Sequence, residues 1–283
     1  MNSQHACSCT VSCAYPSARL SRDGDRATVP IARSLQAMID ALWRHAAVFF
    51  AQPDDAKARC ARPGRISGYR RVGVEYAQAQ DREDRMESFT FRRRDHRALR
   101  HDLALCSQPL YGHLAALQRS LDRIAQQHLA LLASRFGAGA SPIATELDSF
   151  LQLSFYRPGQ EHGRDILVDR HEDAVLFTLT TATGAGLEVE GSDGTYRPAP
   201  PVADGLLAFA GSILTLVTGG AIPPVHHRVR RHPEQATRMA LMYFVNPTVD
   251  VEVAPWVRNE TNRGVDIAGR AAVGQVQFGL PAL

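Results

Sequence analysis

The sequence predicts a mainly β fold, an antiparallel sandwich or barrel backed by N-terminal helices. Two patterns support this prediction. From residue 150 onward, short apolar segments recur at roughly 8–12-residue spacing and are separated by Gly, Pro and Asp-Gly turns, which is typical of sandwiches and barrels. Before residue 150, apolar residues recur every three or four positions, which is typical of amphipathic helices.

The N-terminal half contains two long helical patterns. The first begins at Ile31 and ends before Pro53, and Asp54 opens a short helix after it. The second begins near Pro109. His128 lies on the apolar face of this second helix, among leucines, so it is interpreted as a packed core histidine rather than a metal ligand.

The C-terminal half is predicted to form a series of strands. Apolar residues at 151, 153 and 155 alternate with 152, 154 and 156, which places the two sets on opposite faces of a sheet. Further strands are predicted at residues 175–181, 187–190, 205–210, 213–217, 227–231 and 239–244.

Length and charge limit the organisation and the partners. The chain has 283 residues, 45% hydrophobic and 22% charged, and a net charge of +3. This charge is too weak and scattered for a nucleic-acid surface, and no apolar run approaches the ~18 residues of a membrane span. Without the apolar core of a secretory signal near its N-terminus, the chain is expected to be cytoplasmic. The oligomeric state stays open.

The expected domain organisation is a single domain over residues 29–283, preceded by a flexible segment over residues 1–28. Within the domain we expect a helical part (29–149), a core of strands (150–247) and a C-terminal extension (248–283). The N-terminal cluster of Cys7, Cys9 and Cys13 lacks the paired spacing of a zinc site and is interpreted as part of a loose tail in a reducing compartment.

A candidate metal site begins with His171 and Asp173. On a strand these residues point to one face, so an imidazole and a carboxylate converge there. A second histidine from another strand would complete a 2-His-1-carboxylate triad, which binds Fe(II) and leaves three coordination positions open. His226 and His227 follow about three strands later, and because they are adjacent only one of them can face the metal.

A candidate cosubstrate ligand follows the histidines. Iron held by three protein ligands needs a cosubstrate to activate O2, and a bidentate 2-oxo acid fills two of the open positions. Its far carboxylate needs a cation. Arg238 begins the next predicted strand after His227, and a guanidinium suits a carboxylate because it binds in a bidentate manner.

Together these residues resemble the isopenicillin-N-synthase-like family of iron(II)/2-oxoglutarate-dependent dioxygenases. The order and spacing of the family's motifs hold over residues 151–247, and Phe49-Phe50-Ala51-Gln52-Pro53 and Met86-Glu87-Ser88-Phe89 resemble earlier segments. The family's opening strand is not recognisable. The matching motifs are Leu153-Ser154-Phe155-Tyr156, His171-Glu172-Asp173, Gly186-Leu187-Glu188-Val189, Thr218-Gly219-Gly220, His227-Arg228-Val229 and Arg238-Met239-Ala240.

The resemblance implies a double-stranded β-helix, a jelly roll backed by N-terminal helices. It implies that His171, Asp173 and His227 hold Fe(II), and that His227 rather than His226 is the ligand. It places Arg238 and Tyr156 on the carboxylate of 2-oxoglutarate. Many members of the family have Asn at the position of Ser154, and the resemblance places Ser154 in the same 2-oxoglutarate pocket. Ala240 stands where the family has a serine.

The resemblance further implies the reaction class. Oxidative decarboxylation of 2-oxoglutarate by O2 would be coupled to hydroxylation, desaturation or cyclisation of a small molecule, a chemistry common in specialised metabolism. Two alternatives stay open: an oxidase of the same fold that does not use 2-oxoglutarate, and a metal-free binding module. Arg70, Arg71, Arg92 and Arg157 offer charge for an acidic substrate, although ordinary surface positions are the favoured interpretation.

Overall fold

Two antiparallel sheets form the centre of the protein in a computed structural model, which describes residues 19–20, 25–137, 140–157, 163–199, 202, 204–232 and 235–283. Within these residues the larger sheet has the strand order β1-β2-β10-β7-β12-β5-β4-β3 and the smaller has β6-β11-β8-β9. The strands are β1 (Arg19–Leu20), β2 (Arg26–Pro30), β3 (Gly68–Arg70), β4 (Glu87–Arg92), β5 (Phe150–Tyr156), β6 (Ile166–His171), β7 (Phe177–Ala182), β8 (Leu187–Glu190), β9 (Tyr196–Pro198), β10 (Gly205–Ala210), β11 (His227–Arg230) and β12 (Arg238–Val245).

Helices cover the outer face of the larger sheet. The two long ones, α1 and α5, pack together, and the His113 imidazole of α5 hydrogen-bonds the Met38 carbonyl of α1 at 2.7 Å. Both bury leucine-rich faces in the main core. The helices are α1 (Arg33–Phe50), α2 (Asp54–Ala58), α3 (Arg93–Ala98), α4 (Leu103–Cys106), α5 (Pro109–Ser134), α6 (Ser212–Val217), α7 (Ile267–Gly274) and a 3-10 helix (Gln275–Phe278).

The alternation in β5 separates the core from a cavity. Leu151 and Leu153 point toward the helices and are buried in the main core. Gln152 and Tyr156, on the other face, line a cavity between the two sheets. The expected mainly β fold with two antiparallel sheets backed by helices is confirmed. Because alternate side chains of a strand point to opposite faces, the larger sheet has one face toward the helices and one toward the cavity.

The strand predicted at residues 213–217 is wrong, because this segment is the helix α6. Ile213, Leu214 and Val217 are buried at helical spacing, and the Thr215 amide bonds the Gly211 carbonyl one turn earlier. A five-residue apolar run fits a buried strand and a buried helical turn equally well, so its tertiary contacts decide the outcome.

The boundary expected at residue 28 falls inside strand β2. Strand β2 pairs with β10 over its whole length, with Ala27 opposite Ala208 and Val29 opposite Leu206, and both β2 side chains are buried. Residues 26–28 therefore belong to the larger sheet, as a strand that the sequence did not reveal. Likewise, β3 and β4 lie in the part expected to be helical, and β4 pairs with β5.

Two other expectations concern single features. His128 is buried, with its ring edge-on to Phe177 at 4.9 Å, which agrees with a packed core histidine.

No helix in the described part of the chain is long and apolar enough to cross a membrane. The cysteines at 7, 9 and 13 lie outside the described residues.

Candidate metal and cosubstrate site

The smaller sheet brings together three of the predicted ligands. His171 ends β6, His227 begins β11, and the two residues face each other in the antiparallel pair. Asp173 follows β6 two residues after His171. One ligand atom from each of the three lies within 4.8 Å of the others, so the group could hold a single metal ion.

Both imidazoles are oriented by their own backbone. His171 Nδ1 lies 2.8 Å from the carbonyl of Asp169, and His227 Nδ1 lies 3.1 Å from the carbonyl of Val225. A carbonyl only accepts, so each Nδ1 carries a proton, and in the neutral form of the ring this leaves the lone pair on Nε2. The Nε2 atoms lie 3.6 Å and 3.8 Å from the same Asp173 oxygen, Oδ1. All three candidate ligand atoms therefore face a common point.

The second oxygen of Asp173 has a separate partner. Thr178, on β7, donates its hydroxyl proton to Oδ2 inside the buried interior. This bond orients the carboxylate so that Oδ1 is presented to the imidazoles. Thr178 belongs to the larger sheet, so the carboxylate is fixed from across the cavity.

Burial keeps His171 neutral. Burial and then the neighbouring His227 imidazole lower the pKa of His171 to about 4. A neutral imidazole is the form that donates a lone pair to a metal, so His171 is ready for coordination at neutral pH.

His226 points to the other face of β11. Its Nε2 lies 3.2 Å from Glu172 and its Nδ1 lies 3.9 Å from Glu190, at the partly exposed outer surface. This arrangement follows from the alternation of a strand, which sends adjacent side chains to opposite faces.

Arg238 and Tyr156 lie in the same cavity as the triad. They are direct partners in the β12–β5 pair, and the guanidinium carbon lies 5.0 Å from the centre of the Tyr156 ring. The guanidinium and the phenol are therefore neighbours in the cavity wall, and both side chains carry N–H or O–H donors for a ligand.

Burial leaves the Arg238 charge poorly compensated. Its side chain is 6% exposed, and its Nε and Nη1 atoms have no hydrogen-bond partner among the described residues. Burial lowers the pKa of Arg238, and burial raises the pKa of Tyr156 to about 12. A buried cation with two free donors in a cavity is a receptor for an anion, because an unpaired buried charge is costly.

Gly186 makes room for this arginine. Its φ angle is +120°, and a Cβ there would lie 2.6 Å from the Arg230 carbonyl and 3.7 Å from the Arg238 side chain. Only glycine adopts this backbone conformation without strain. The Gly-Leu-x-Val motif thus keeps space beside Arg238.

Ser154 and Ala240 lie opposite each other on β5 and β12. Ser154 is fully buried, and its hydroxyl lies 3.4 Å from the Gln152 amide nitrogen. It shares a face with Tyr156 but is not part of the cavity wall, whereas Ala240 is. Of the three residues predicted to bind the cosubstrate, Arg238 and Tyr156 line the cavity and Ser154 does not.

Several cavity residues escaped the sequence analysis. The C-terminal extension contributes Gln275, Phe278 and Leu280, and the Phe278 ring lies 5.7 Å from that of His171. Glu75 and Asp84 also line the cavity. Carboxylates in loops ordinarily face solvent, so the pattern contained no sign that Glu75 and Asp84 line a cavity. Gln152 differs, because a polar residue within an apolar strand is a recognisable sign of a polar environment in the interior.

None of the four arginines considered for an acidic substrate lines this cavity. Arg92 is buried and donates to Asp95, so it is not a surface residue. Arg157 pairs with Glu87. The arginine that does face the cavity is Arg238.

Comparison with known proteins agrees with this geometry. The model of the 2OG-Fe(II) oxygenase superfamily matches residues 147–247, and that of the N-terminal region of non-haem dioxygenases in morphine synthesis matches residues 33–107. Gibberellin 3-beta-dioxygenase 2 from Arabidopsis thaliana is 31% identical over 106 residues, 37% of this chain and 30% of that protein. The chain thus spans about a third of the length of the curated relatives that it matches.

Solved structures share the fold over most of the chain. A Caulobacter crescentus protein, assigned in its description to the 2OG-Fe(II) oxygenase family, is 26% identical, with a TM-score of 0.69 and coverage of 87% of each chain. The dioxygenase for auxin oxidation 1 from Arabidopsis thaliana, in a binary complex with 2-oxoglutarate, has a TM-score of 0.67 at 20% identity, covering 84% of this chain and 90% of that one. With both family models matched in order, and with the His-Asp-His cluster that suits iron(II), this chain belongs to the 2OG-Fe(II) oxygenase superfamily.

Proposed function

We propose that this protein is an iron(II)- and 2-oxoglutarate-dependent oxygenase that oxidises a C–H bond of a small molecule. His171, Asp173 and His227 hold the metal, and Arg238 with Tyr156 binds the far carboxylate of 2-oxoglutarate. Bound iron(II) would supply O2 activation coupled to decarboxylation of the cosubstrate to succinate and CO2.

One juxtaposition carries this proposal. A cluster of two imidazoles and one carboxylate shares a cavity with a buried arginine that has two free donors. A metal-chelating group and a distant carboxylate are the two ends of 2-oxoglutarate. A simple structural role would not require an unpaired guanidinium in the interior, because such a charge destabilises the fold.

The chain's own residues position the reactants and exclude water. The carbonyls of Asp169 and Val225 keep both imidazoles in the ligating tautomer, and Thr178 fixes the carboxylate. Tyr156 offers its hydroxyl proton beside Arg238. The rest of the cavity wall is largely apolar. Polar contacts made against such a wall are stronger than the same contacts in water.

A basic cleft adjoins the arginine end of the cavity. Arg85, Arg157 and Arg230 line it together with Arg238 and Tyr156. Arg85, Arg157 and Arg230 are each paired with a carboxylate, that of Glu83, Glu87 and Asp165 respectively, whereas Arg238 has no carboxylate partner among the described residues.

The test is anaerobic titration of the iron-loaded protein with 2-oxoglutarate, following the metal-to-ligand absorption band, with succinate assayed after O2 is admitted. We expect a saturable band and succinate release. O2 uptake in the absence of any 2-oxo acid, with no band, would instead establish the oxidase alternative. Absence of iron binding would establish the metal-free binding module.

A further inference from the structure

Three acceptor side chains, Glu75, Asp84 and Gln152, line the same cavity. They are 7%, 6% and 3% exposed, so all three are withdrawn from bulk water. None has a role in holding the metal or the cosubstrate in the function proposed above. They are described below as the acceptor wall.

Glu75 is fully engaged and fixes Gln152. Its Oε1 accepts from the Ser88 hydroxyl, and its Oε2 accepts from the Gln152 amide nitrogen at 2.9 Å. Because the amide nitrogen must face the carboxylate, the amide oxygen faces away from it. That oxygen, Gln152 Oε1, has no hydrogen-bond partner among the described residues.

Asp84 provides a second free acceptor. Its Oδ1 is buried without a hydrogen-bond partner in the described part of the chain. The cation that acts on it from nearby is Arg164, whose guanidinium donates to Asp169 at 2.9 Å and to the Glu83 carbonyl at 3.2 Å. The described residues therefore supply no direct counter-charge to Asp84.

The acceptor wall is electrostatically suited to bind a positively charged group. Burial, and then the charge of Glu75, raise the pKa of Asp84 well above the usual range of a carboxyl. A buried carboxylate beside another one is stable only if it takes up a proton or gains a cation. Gln152 Oε1 adds a second acceptor, and a protonated nitrogen offers two or three donors at once.

Resting on the proposed function, we propose that the substrate carries a protonated nitrogen, an ammonium or a guanidinium, that binds to Asp84 Oδ1 and Gln152 Oε1. The apolar side chains of Met86, Met242 and Phe244 line the same cavity and suit the hydrocarbon part of such a molecule. The cavity then separates its two ligands by charge. The anionic cosubstrate binds to Arg238, and the cationic substrate binds to the acceptor wall, so neither ligand occupies the place of the other.

Calorimetry on the anaerobic protein loaded with iron(II) and 2-oxoglutarate tests this inference. The probes are phenethylammonium, n-hexylammonium and n-butylguanidinium, each compared with the neutral alcohol of the same hydrocarbon chain. We expect at least one cation to bind about tenfold or more tightly than its alcohol, because hydrogen bonds to a charged group are stronger than those between neutral groups. Asp84→Asn should remove this preference and Glu75→Gln should weaken it, while the affinity for the alcohol stays the same.

Asp81→Asn is the matched control, since Asp81 is exposed and lies outside the cavity wall. It makes the same change in charge and should keep the preference. If Glu75→Gln does not fold, the isosteric Asp84→Asn decides alone. The inference is wrong if no cation binds better than its alcohol, or if Asp84→Asn retains the preference. Because 2-oxoglutarate binding is measured on the same samples, a failure here is distinct from a failure of the proposed function, which would show as no cosubstrate binding at all.

Discussion

His171 and His227 lie directly opposite each other in the β6–β11 pair, with their ring centres 4.3 Å apart. A strand pair holds such partners at a fixed distance, so the sheet itself sets the separation of the two imidazoles. Asp173, two residues beyond His171, then completes the cluster without any long-range rearrangement. The metal site is therefore as rigid as the sheet that carries it.

This rigidity predicts that each member of the cluster is required for metal binding. Alanine replacement of His171, Asp173 or His227 should abolish iron retention, because two remaining ligands hold a labile Fe(II) poorly against water. His226→Ala is the control and should keep full iron content, since His226 lies against Glu172 on the outer face. Metal analysis of the purified variants checks this. Full occupancy in His227→Ala would refute the assignment.

A second prediction concerns the hydroxyl that orients Asp173. Thr178→Val keeps the shape of the side chain and removes the bond to Oδ2, so the carboxylate is free to rotate. We expect iron affinity to fall by about 10–100-fold, the usual effect of losing a partner of a metal ligand. Thr181→Val, on the opposite face of β7, should leave it unchanged. Competition with a coloured chelator measures both, and equal affinities in the two variants would contradict this role of Thr178.

Because the charge of Arg238 is unpaired, we expect its removal to stabilise the ligand-free protein and to weaken the binding of 2-oxoglutarate. Arg238→Leu removes a buried cation without a carboxylate partner among the described residues, so the ligand-free protein should gain about 1–4 kcal/mol in its free energy of unfolding. The same change should weaken 2-oxoglutarate binding by roughly 30-fold or more, because the cosubstrate loses its counter-charge.

Thermal melting with and without 2-oxoglutarate measures both effects at once. The melting temperature of Arg238→Leu should be higher than that of the wild type without ligand and should respond less to it. Arg230→Leu, at a half-exposed position near Asp165, should keep the wild-type response. A variant that is less stable and still binds 2-oxoglutarate normally would show that Arg238 has a structural role only.

We expect the buried His128 side chain to make the free energy of unfolding depend on pH. Burial lowers the pKa of His128 from 6.5 to about 4 in the folded protein. Between these two values the unfolded chain binds a proton that the folded chain does not, so stability falls as pH falls from 6.5 toward 4. The loss approaches about 3 kcal/mol at the low end, since each pKa unit corresponds to 1.36 kcal/mol.

Denaturant unfolding at several pH values tests this in a variant without the titrating ring. His128→Leu should show a flatter pH dependence over this window, because its apolar side chain has no proton to gain. His101→Leu, at an exposed position, should retain the wild-type slope. Identical slopes in all three proteins would mean that His128 stays uncharged in both states or is solvated in the folded one.

The strand β2 predicts the effect of shortening the N-terminus. A chain that begins at Val29 loses the pairing of residues 26–28 with β10 and the buried side chain of Ala27. Since β10 carries Phe209, whose ring lies 4.6 Å from that of His227, the metal site should also loosen. We expect a lower melting temperature and weaker iron binding than in a chain that begins at Arg19. Equal values for the two chains would mean that β2 contributes little to either.

The sequence by itself determined the candidate ligands and most of the strands that carry them. His171 and Asp173 were predictable because a strand repeats every two residues, and this local geometry does not depend on the rest of the fold. The same alternation in β5 predicted which side chains share the face of Tyr156. The resemblance of ordered motifs then chose His227 over His226, and the structure brings His227 to the other two.

Only the tertiary structure decided which polar groups lack partners. Arg238 and Asp84 are both ordinary charged residues in the sequence, and each is exceptional because the described part of the chain buries it without a direct counter-charge. The pairing of β2 and the helical form of residues 213–217 were likewise decided by contacts with distant segments. Burial and pairing depend on residues far apart in the chain, so local periodicity, which fixes the faces of strands and helices, carries no information about them.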